Sequence, residues 1–342
     1  MKKIVFIILL VLLIFSSFGF PEKLSVLAEL TNPAMIEING EELYVLDDVE
    51  VYVYSLQDYG FLRKFGKRGE GPGELLPSPD MPLMMQVRKE DVILYSFNKM
   101  IYFSKAGKMI KEQRIPFIAF QIIPFGKNYA VIKFARSNQG ESQVGVLLFD
   151  AEFKELKKLY ETELLNDFRK GKIAFPLVNV YIQCSEHQLF VLDQKLEFEI
   201  LRFDLEGNQL TPIKHPYQKI KVTEAYKKEG WEWLNIQPAF KTAPDAIKNM
   251  IYFTKYLPVI RNILVIDKKI YVHTYKTKEK LSEFFILDLN GSVLKTVSLP
   301  AAKWERQVRP TQAVTYTFKD NKYYYLEENM DEEEWELHMV TY

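Results

Sequence analysis

Glycine and charge are concentrated in one run, Phe65-Gly66-Lys67-Arg68-Gly69-Glu70-Gly71-Pro72-Gly73-Glu74-Leu75-Leu76-Pro77. Glycine-rich loops expose backbone N–H groups that can cradle a phosphate, and Lys67 and Arg68 would add positive charge. The Gly-Lys-Ser/Thr ending of a nucleotide loop is absent, and no helix start follows Glu74. A tight crossover between strands, where glycine supplies conformations other residues resist, accounts for the run better. Arg68, Glu70 and Glu74 are the side chains it offers to a ligand or partner. A second concentration lies in residues 222–257, where Trp231, Trp233 and Phe240 follow one capped helix start at Thr223 and precede another at Pro244. Three aromatics this close can form a ligand platform or a partner hot spot. They can equally pin the segment in place, and packing is favoured, because an insertion of this length must bury apolar surface to hold its shape.

Other chemistries find less support. His187, His215, His273 and His338 have no paired ligand spacing, and no Gly-x-Ser-x-Gly elbow is present. The acidic run Glu327, Glu328, Asp331, Glu332, Glu333 and Glu334 lacks the alternating spacing and glycine of a dedicated calcium loop, so it reads as a solvated hairpin. No metal ligand and no catalytic residue is assigned. Cys184 is the only cysteine, which excludes an internal disulfide, and its apolar strand context suits a buried thiol.

The elements that position these residues repeat. Two apolar strands recur as Leu43-Tyr44-Val45-Leu46 with Val51-Tyr52-Val53-Tyr54, as residues 92–95 with 100–103, and as residues 189–192 with 198–201. Six four-strand units of roughly 45 to 50 residues fill the chain as one all-β body, a six-bladed β-propeller. Blade one reads as strands at 34–38, 43–46, 51–54 and 61–65, with Asn39-Gly40 as a tight hairpin turn. Ser104-Lys105-Ala106-Gly107, residues 204–207 and residues 288–291 join third to fourth strands, whereas Asp150-Ala151-Glu152-Phe153 lacks the closing glycine. Blade six, with strands at 314–318, 323–326 and 335–340, needs one more, and residues 23–30 supply it. The long connections, at 66–82, 136–143, 161–176, 215–258, 276–281, 300–310 and 327–334, all join second to third strands or one blade to the next, and so share one side. That side is the expected working side, with 222–257 as a mainly helical insertion between blades four and five.

Residues 1–20 read as a signal peptide: Lys2 and Lys3, an apolar stretch over 4–15, and Ser17-Phe18-Gly19 before a cleavage point. The apolar core is short of the roughly 20 residues of a membrane span, and an uncleaved anchor is the alternative. The mature propeller, 21–342, is then periplasmic or extracellular. Lys plus Arg number 45, as do Asp plus Glu, so no net field concentrates nucleic acid.

Phe65-Gly66 followed by Gly71-Pro72-Gly73-Glu74-Leu75 resembles the inter-blade loop of NHL-type six-bladed propellers, especially those of uncharacterised exported bacterial proteins, with Leu75 where an aromatic is usual. The blade pattern covers residues 23–342, but the loop occurs only once in recognisable form. Some propellers of this kind are lactonases that hold calcium at the mouth of the central channel through Glu, Asn and Asp. That resemblance implies a channel-mouth site, for which the inner-strand regions here offer Gln121, Asn179, Arg261, Asn262 and Gln312. Calcium normally requires carboxylates, and these residues provide none, so no cofactor is expected and the set suits a polar channel better. The expected function is an exported, monomeric, non-catalytic binding or scaffolding module for a protein, peptide or glycan of the cell envelope. A propeller hydrolase or lyase is the alternative.

Overall fold

The computed structural model describes residues 21–76, 83–96, 98–136, 142–164, 171–301 and 314–342. The expected signal segment at 1–20, Gln312, and most of the connections at 77–82, 137–141 and 302–313 lie outside the described residues.

Six four-stranded antiparallel sheets follow one another along the chain, five with strands in sequential order and the sixth joining the first described strand to the last three. Blade one is β2 (Pro33–Asn39), β3 (Glu42–Asp47), β4 (Glu50–Ser55) and β5 (Phe61–Phe65). Blade two is β6 (Met84–Val87), β7 (Asp91–Ser96), β8 (Lys99–Ser104) and β9 (Met109–Arg114). Blade three is β10 (Gln121–Phe125), β11 (Asn128–Arg136), β12 (Ser142–Phe149) and β13 (Glu155–Glu163). β14 (Ile173–Phe175) precedes blade four, which is β15 (Val180–Cys184), β16 (Leu189–Asp193), β17 (Glu199–Phe203) and β18 (Gln209–Lys214). The insertion holds α1 (Glu224–Ile236), α2 (Pro238–Lys241), α3 (Asp245–Lys248) and β19 (Ile251–Phe253). Blade five is β20 (Ile260–Ile266), β21 (Lys269–Lys278), β22 (Leu281–Asp288) and β23 (Val293–Pro300). Blade six is β24 (Tyr316–Lys319), β25 (Lys322–Asn329) and β26 (Glu334–Thr341), with β1 (Glu22–Val26) as its outermost strand.

The chain divides into two compact units, one holding blades six, one and two, the other blades three, four and five with the insertion. In the first, Leu27, Ile36, Leu43, Val45, Tyr54, Leu326 and Leu337 form one cluster across blades six and one. In the second, Ile132, Val146, Ile182 and Val191 pack across blades three and four, and Phe190, Ile200, Ile263 and Val272 across four and five. Core therefore lies on both faces of an inner sheet. That is why the second and third strands read as continuous apolar runs rather than alternating ones, as in the wholly buried Leu43-Tyr44-Val45-Leu46. Outermost strands have solvent on one edge, and β9 carries no fully buried residue.

The clasp pairs β1 antiparallel to β26, with Lys23 opposite His338 and Val26 opposite Glu336. Its strand ends at Val26 rather than at residue 30. Leu27 still donates to the Trp335 carbonyl at 2.8 Å, and the chain then turns, with Leu30 N–H bonded to Leu27 O at 3.0 Å, so that both leucines are buried. The Asn39-Gly40 turn is shifted by one residue: Asn39 stays in the ladder opposite Glu42, and the two-residue loop is Gly40-Glu41 with Gly40 at φ 61°. At Ser104-Lys105-Ala106-Gly107 the glycine, at φ 82°, sits where a Cβ would lie 2.9 Å from Phe65 of the preceding blade. Blade three solves the same turn without glycine. Phe153 takes φ 60° and is held there by stacking on Tyr129 at 5.0 Å and by an edge contact with Phe117 at 5.8 Å. Two expected loops are extended hairpins instead: β21 and β22 pair out to Lys278 and Leu281, and β25 and β26 out to Asn329 and Glu334.

Candidate functional site

α1 begins at Thr223, whose side chain accepts the Tyr226 N–H at 3.2 Å, and carries Glu224 in its first turn, where a carboxylate suits the helix dipole. Its inward residues meet a small aromatic core of Phe175, Leu234 and Phe240, against which Trp231, Trp233, Ile251 and Phe253 pack. Trp231 lies 5.8 Å from Phe253 and 6.2 Å from Phe240, and Trp233 lies 6.0 Å from Phe175. Gly230 is buried at the closest approach, since a Cβ there would stand 2.9 Å from Phe253 and 3.1 Å from Phe175. β14 and β19 pair in parallel, tying the connection that enters blade four to the one that enters blade five. Trp231, Trp233 and Phe240 thus share one internal cluster that shapes the insertion. The large apolar groups it turns outward are Ile236, 63% exposed at the last turn of α1, and Tyr256, which bridges to Lys221 just before α1 begins.

Below the insertion, Val222 and Leu257 pack with Tyr275 of β21, and the buried guanidinium of Arg261 lies 5.8 Å from the Tyr275 ring. His273 is wholly enclosed and stacked on Phe284 at 4.3 Å. Burial, reinforced by the Arg261 charge, holds its pKa well below the usual imidazole range, so it is neutral. Tyr217 donates to Glu283 at 2.7 Å, and burial pushes its phenol well above the usual range. Burial also pushes the Cys184 thiol up to about 11, and its Sγ approaches the Pro124 carbonyl at 3.5 Å.

Two buried glutamines join neighbouring blades. Gln121 donates to Ile182 O at 2.7 Å and accepts from Ile182 N at 3.0 Å, linking β10 to β15. Gln194, a residue the sequence did not single out, does the same between blades four and five. It accepts from Asn179 N at 2.9 Å and donates to Arg261 O at 2.8 Å. Asn179 donates to Tyr181 Oη at 3.3 Å, and Asn262 caps Ile263 N at 2.8 Å. Gln121, Arg261 and Asn262 are buried, and Asn179 is half-buried.

The glycine run folds upon itself in the first unit. Gly69 N bonds to Leu75 O at 3.0 Å, Leu75 N to Lys67 O at 2.8 Å, and Gly71 N to the Glu74 carboxylate at 3.0 Å. Lys67 pairs with Glu74, Arg68 pairs with Asp48, and Lys99 of blade two donates to the carbonyls of Gly71 and Glu74. Its N–H groups are turned to acceptors of the loop itself and, at Gly73, to Glu112 of β9 at 2.8 Å, the geometry of a crossover. Glu70 is exposed. The acidic run continues the β25–β26 hairpin, where Glu336 receives Lys23 at 3.0 Å and Asn329 at 3.1 Å. Among the described residues, no three or more His, Cys, Asp or Glu converge in a way that could hold a metal ion.

A polar joint between blades one and two carries no sequence signature. Glu37 of β2 accepts the Val87 N–H at 2.7 Å, and burial pushes its pKa up to about 8 against the opposing effects of that bond and of Lys105. Lys105, from the β8–β9 turn, places its Nζ 4.9 Å from the Tyr44 ring, buried and without a hydrogen-bond acceptor among the described residues. Its backbone carbonyl receives Arg63 Nε at 2.7 Å while Arg63 forks onto Glu42, holding that carboxyl below the usual range.

A family model described as DUF5128, 6-bladed beta-propeller, matches residues 28–179, in agreement with the six sheets above. The chain is a six-bladed β-propeller. None of the curated proteins matches this propeller. Among solved structures it is similar to a member of the duf4221 family from Bacteroides vulgatus, at 11% identity over 94% of this chain and 96% of that chain, with a TM-score of 0.48. The Pan2 WD40 domain of Neurospora crassa follows at 9% identity, with 93% and 95% coverage and a TM-score of 0.44. The Cps50 (Swd1) β-propeller domain of Myceliophteria thermophila gives 10%, 94%, 100% and 0.43 in the same terms.

Proposed function

We propose that this propeller is an exported, NHL-like, non-catalytic binding module that engages a protein, peptide or glycan of the cell envelope through its long-connection side. The observation that carries the reading is the build of the insertion. Thirty-odd residues between blades four and five form an aromatic core with Phe175 of β14 and leave Ile236 and Tyr256 facing outward at the two ends of α1. A segment that spends its tryptophans on holding one shape is a preorganised contact element, which reduces the ordering cost of binding. The test is capture from cell-envelope extract by the full chain, with Ile236→Glu and Tyr256→Glu as controls. Equal capture by the folded variants would remove the insertion from the contact surface.

A further inference from the structure

We propose that the tip of the first hairpin of blade one is a self-modifying site, where the Gly40 backbone nitrogen attacks the Asn39 side-chain amide and converts Asn39 to isoaspartate. Asn39-Gly40 joins β2 to β3, and the chain has a second Asn-Gly pair, Asn290-Gly291, between β22 and β23. Both pairs follow a large aliphatic residue, Ile38 and Leu289, so the neighbouring sequence does not separate them. The step needs an unengaged N–H as nucleophile, an amide free to approach it, and a turn that can open. The two turns differ on all three counts. At the first, the ladder closes with Asn39 opposite Glu42, and Gly40, at φ 61°, falls outside it. Neither the Gly40 N–H nor the Asn39 side chain meets a hydrogen-bond partner among the described residues. Gly40 and Glu41 are exposed, and a Cβ on Gly40 would meet nothing within 4 Å. Glycine leaves its nitrogen unshielded, and an exposed hairpin tip opens at little cost. At the second turn the Gly291 N–H is committed to Asp288 O at 3.0 Å, and Asn290 Oδ1 receives Arg202 at 3.2 Å. A Cβ on Gly291 would stand 2.8 Å from Ile213 of β18. The same dipeptide is open in blade one and locked in blade five.

In the reaction the Gly40 nitrogen gives up its proton and bonds to Asn39 Cγ, while Nδ2 leaves with that proton as ammonia and a succinimide closes. Water then opens the ring. Attack at the former backbone carbonyl gives isoaspartate, whose main chain runs on through Cγ, and attack at Cγ gives aspartate. Water is consumed and ammonia lost mole for mole, with no oxidation or reduction. Isoaspartate lengthens the backbone of the tip that holds Lys319. This lysine, from β24 of blade six, is mostly buried and donates to Gly40 O at 2.6 Å and to the Glu41 carboxylate at 2.7 Å. Displacing that carbonyl leaves a mostly buried ammonium short of an acceptor, so the modification loosens the contact between blades six and one.

The test holds the full chain at mildly alkaline pH in heavy-oxygen water and follows Asn39 and Asn290 by peptide mapping, with electron-transfer fragmentation separating isoaspartate from aspartate. In the folded chain Asn39 should convert at least about tenfold faster than Asn290, a factor that follows from the hydrogen bonds the second turn must break. In urea the two rates should converge. Equal rates in the folded chain, or a gap that persists in urea, would overturn the proposal, as would aspartate as the sole product. The melting temperature should fall as Asn39 converts and stay in place in an Asn39→Gln chain held alongside, because glutamine must close a larger ring. An equal drift in both chains would overturn the loosening of blades six and one. The rate comparison is made within one native chain, so it decides the chemistry even where the Gln variant does not fold.

Discussion

Replacing Glu37 by Gln should change how stability depends on pH. The amide is isosteric and keeps an oxygen to accept the Val87 N–H, so the bond at 2.7 Å survives. In the native fold the carboxyl titrates near 8 rather than at its ordinary 4.5, because burial disfavours the charged form. A folded-state pKa above the unfolded one gives stability that is complete below the unfolded pKa and is lost as pH rises through the folded one. At about 1.4 kcal/mol per pH unit, the window from 4.5 to about 8 corresponds to at most about 5 kcal/mol. Lys105 faces Glu37 and Tyr44 lies opposite it in the ladder, while Glu42, Arg63 and Asp91 act on Lys105, and all are shared by both proteins. Burial depresses Lys105 and the Glu37 charge opposes that depression, so the substitution also removes one support of the Lys105 charge. Urea unfolding followed by circular dichroism should therefore find the Gln variant increasingly the more stable protein from about pH 5 to about pH 9. A difference constant across that range would refute the buried, protonated carboxyl.

Gly230→Ala should push a Cβ to within 2.9 Å of Phe253 and cost about 1 to 3 kcal/mol, seen as faster proteolysis of the insertion with the blades intact. Leu27→Ala, at a fully buried position of the clasp, should cost about 2 to 5 kcal/mol, and an unchanged melting temperature would argue against the docking of β1 on blade six. Phe153→Gly should relieve a left-handed backbone but destabilise overall, because the lost packing on Tyr129 and Phe117, about 3 kcal/mol, outweighs strain of about 1 kcal/mol. A more stable glycine variant would reverse that ranking.

The blades were legible because each inner strand is buried on both faces and so leaves an unbroken apolar run, and because turns such as Asp204-Leu205-Glu206-Gly207 punctuate them at even spacing. The packing of Trp231 and Trp233 could be argued from the insertion's need for a core. Which side chains would remain outside could not, since Ile236 reads in sequence as one more apolar residue of α1. The hairpins over 276–281 and 327–334 looked like loops because their residues are charged, yet the ladder needs only backbone partners there. Gln121 looked like channel lining because an uncharged amide near a strand end suits either role, and Gln194 gave no signal in the sequence. Only the distances to Ile182 and Arg261 show them joining strands. The joint of Glu37, Tyr44, Arg63 and Lys105 had no signal at all, because it is assembled from the inner, second and outer strands of one blade and a turn of the next.

The central claim, that the insertion is a preshaped contact element, is tested most directly by measuring melting temperature and envelope-partner capture on the same preparations of two double variants. Ile236→Glu with Tyr256→Glu should leave the melting temperature in place and weaken capture at least tenfold, about 1.4 kcal/mol. Trp231→Ala with Trp233→Ala should lower the melting temperature, with capture falling only in step with the loss of folded insertion. Undiminished capture by the fully folded Ile236 and Tyr256 variant would contradict the account.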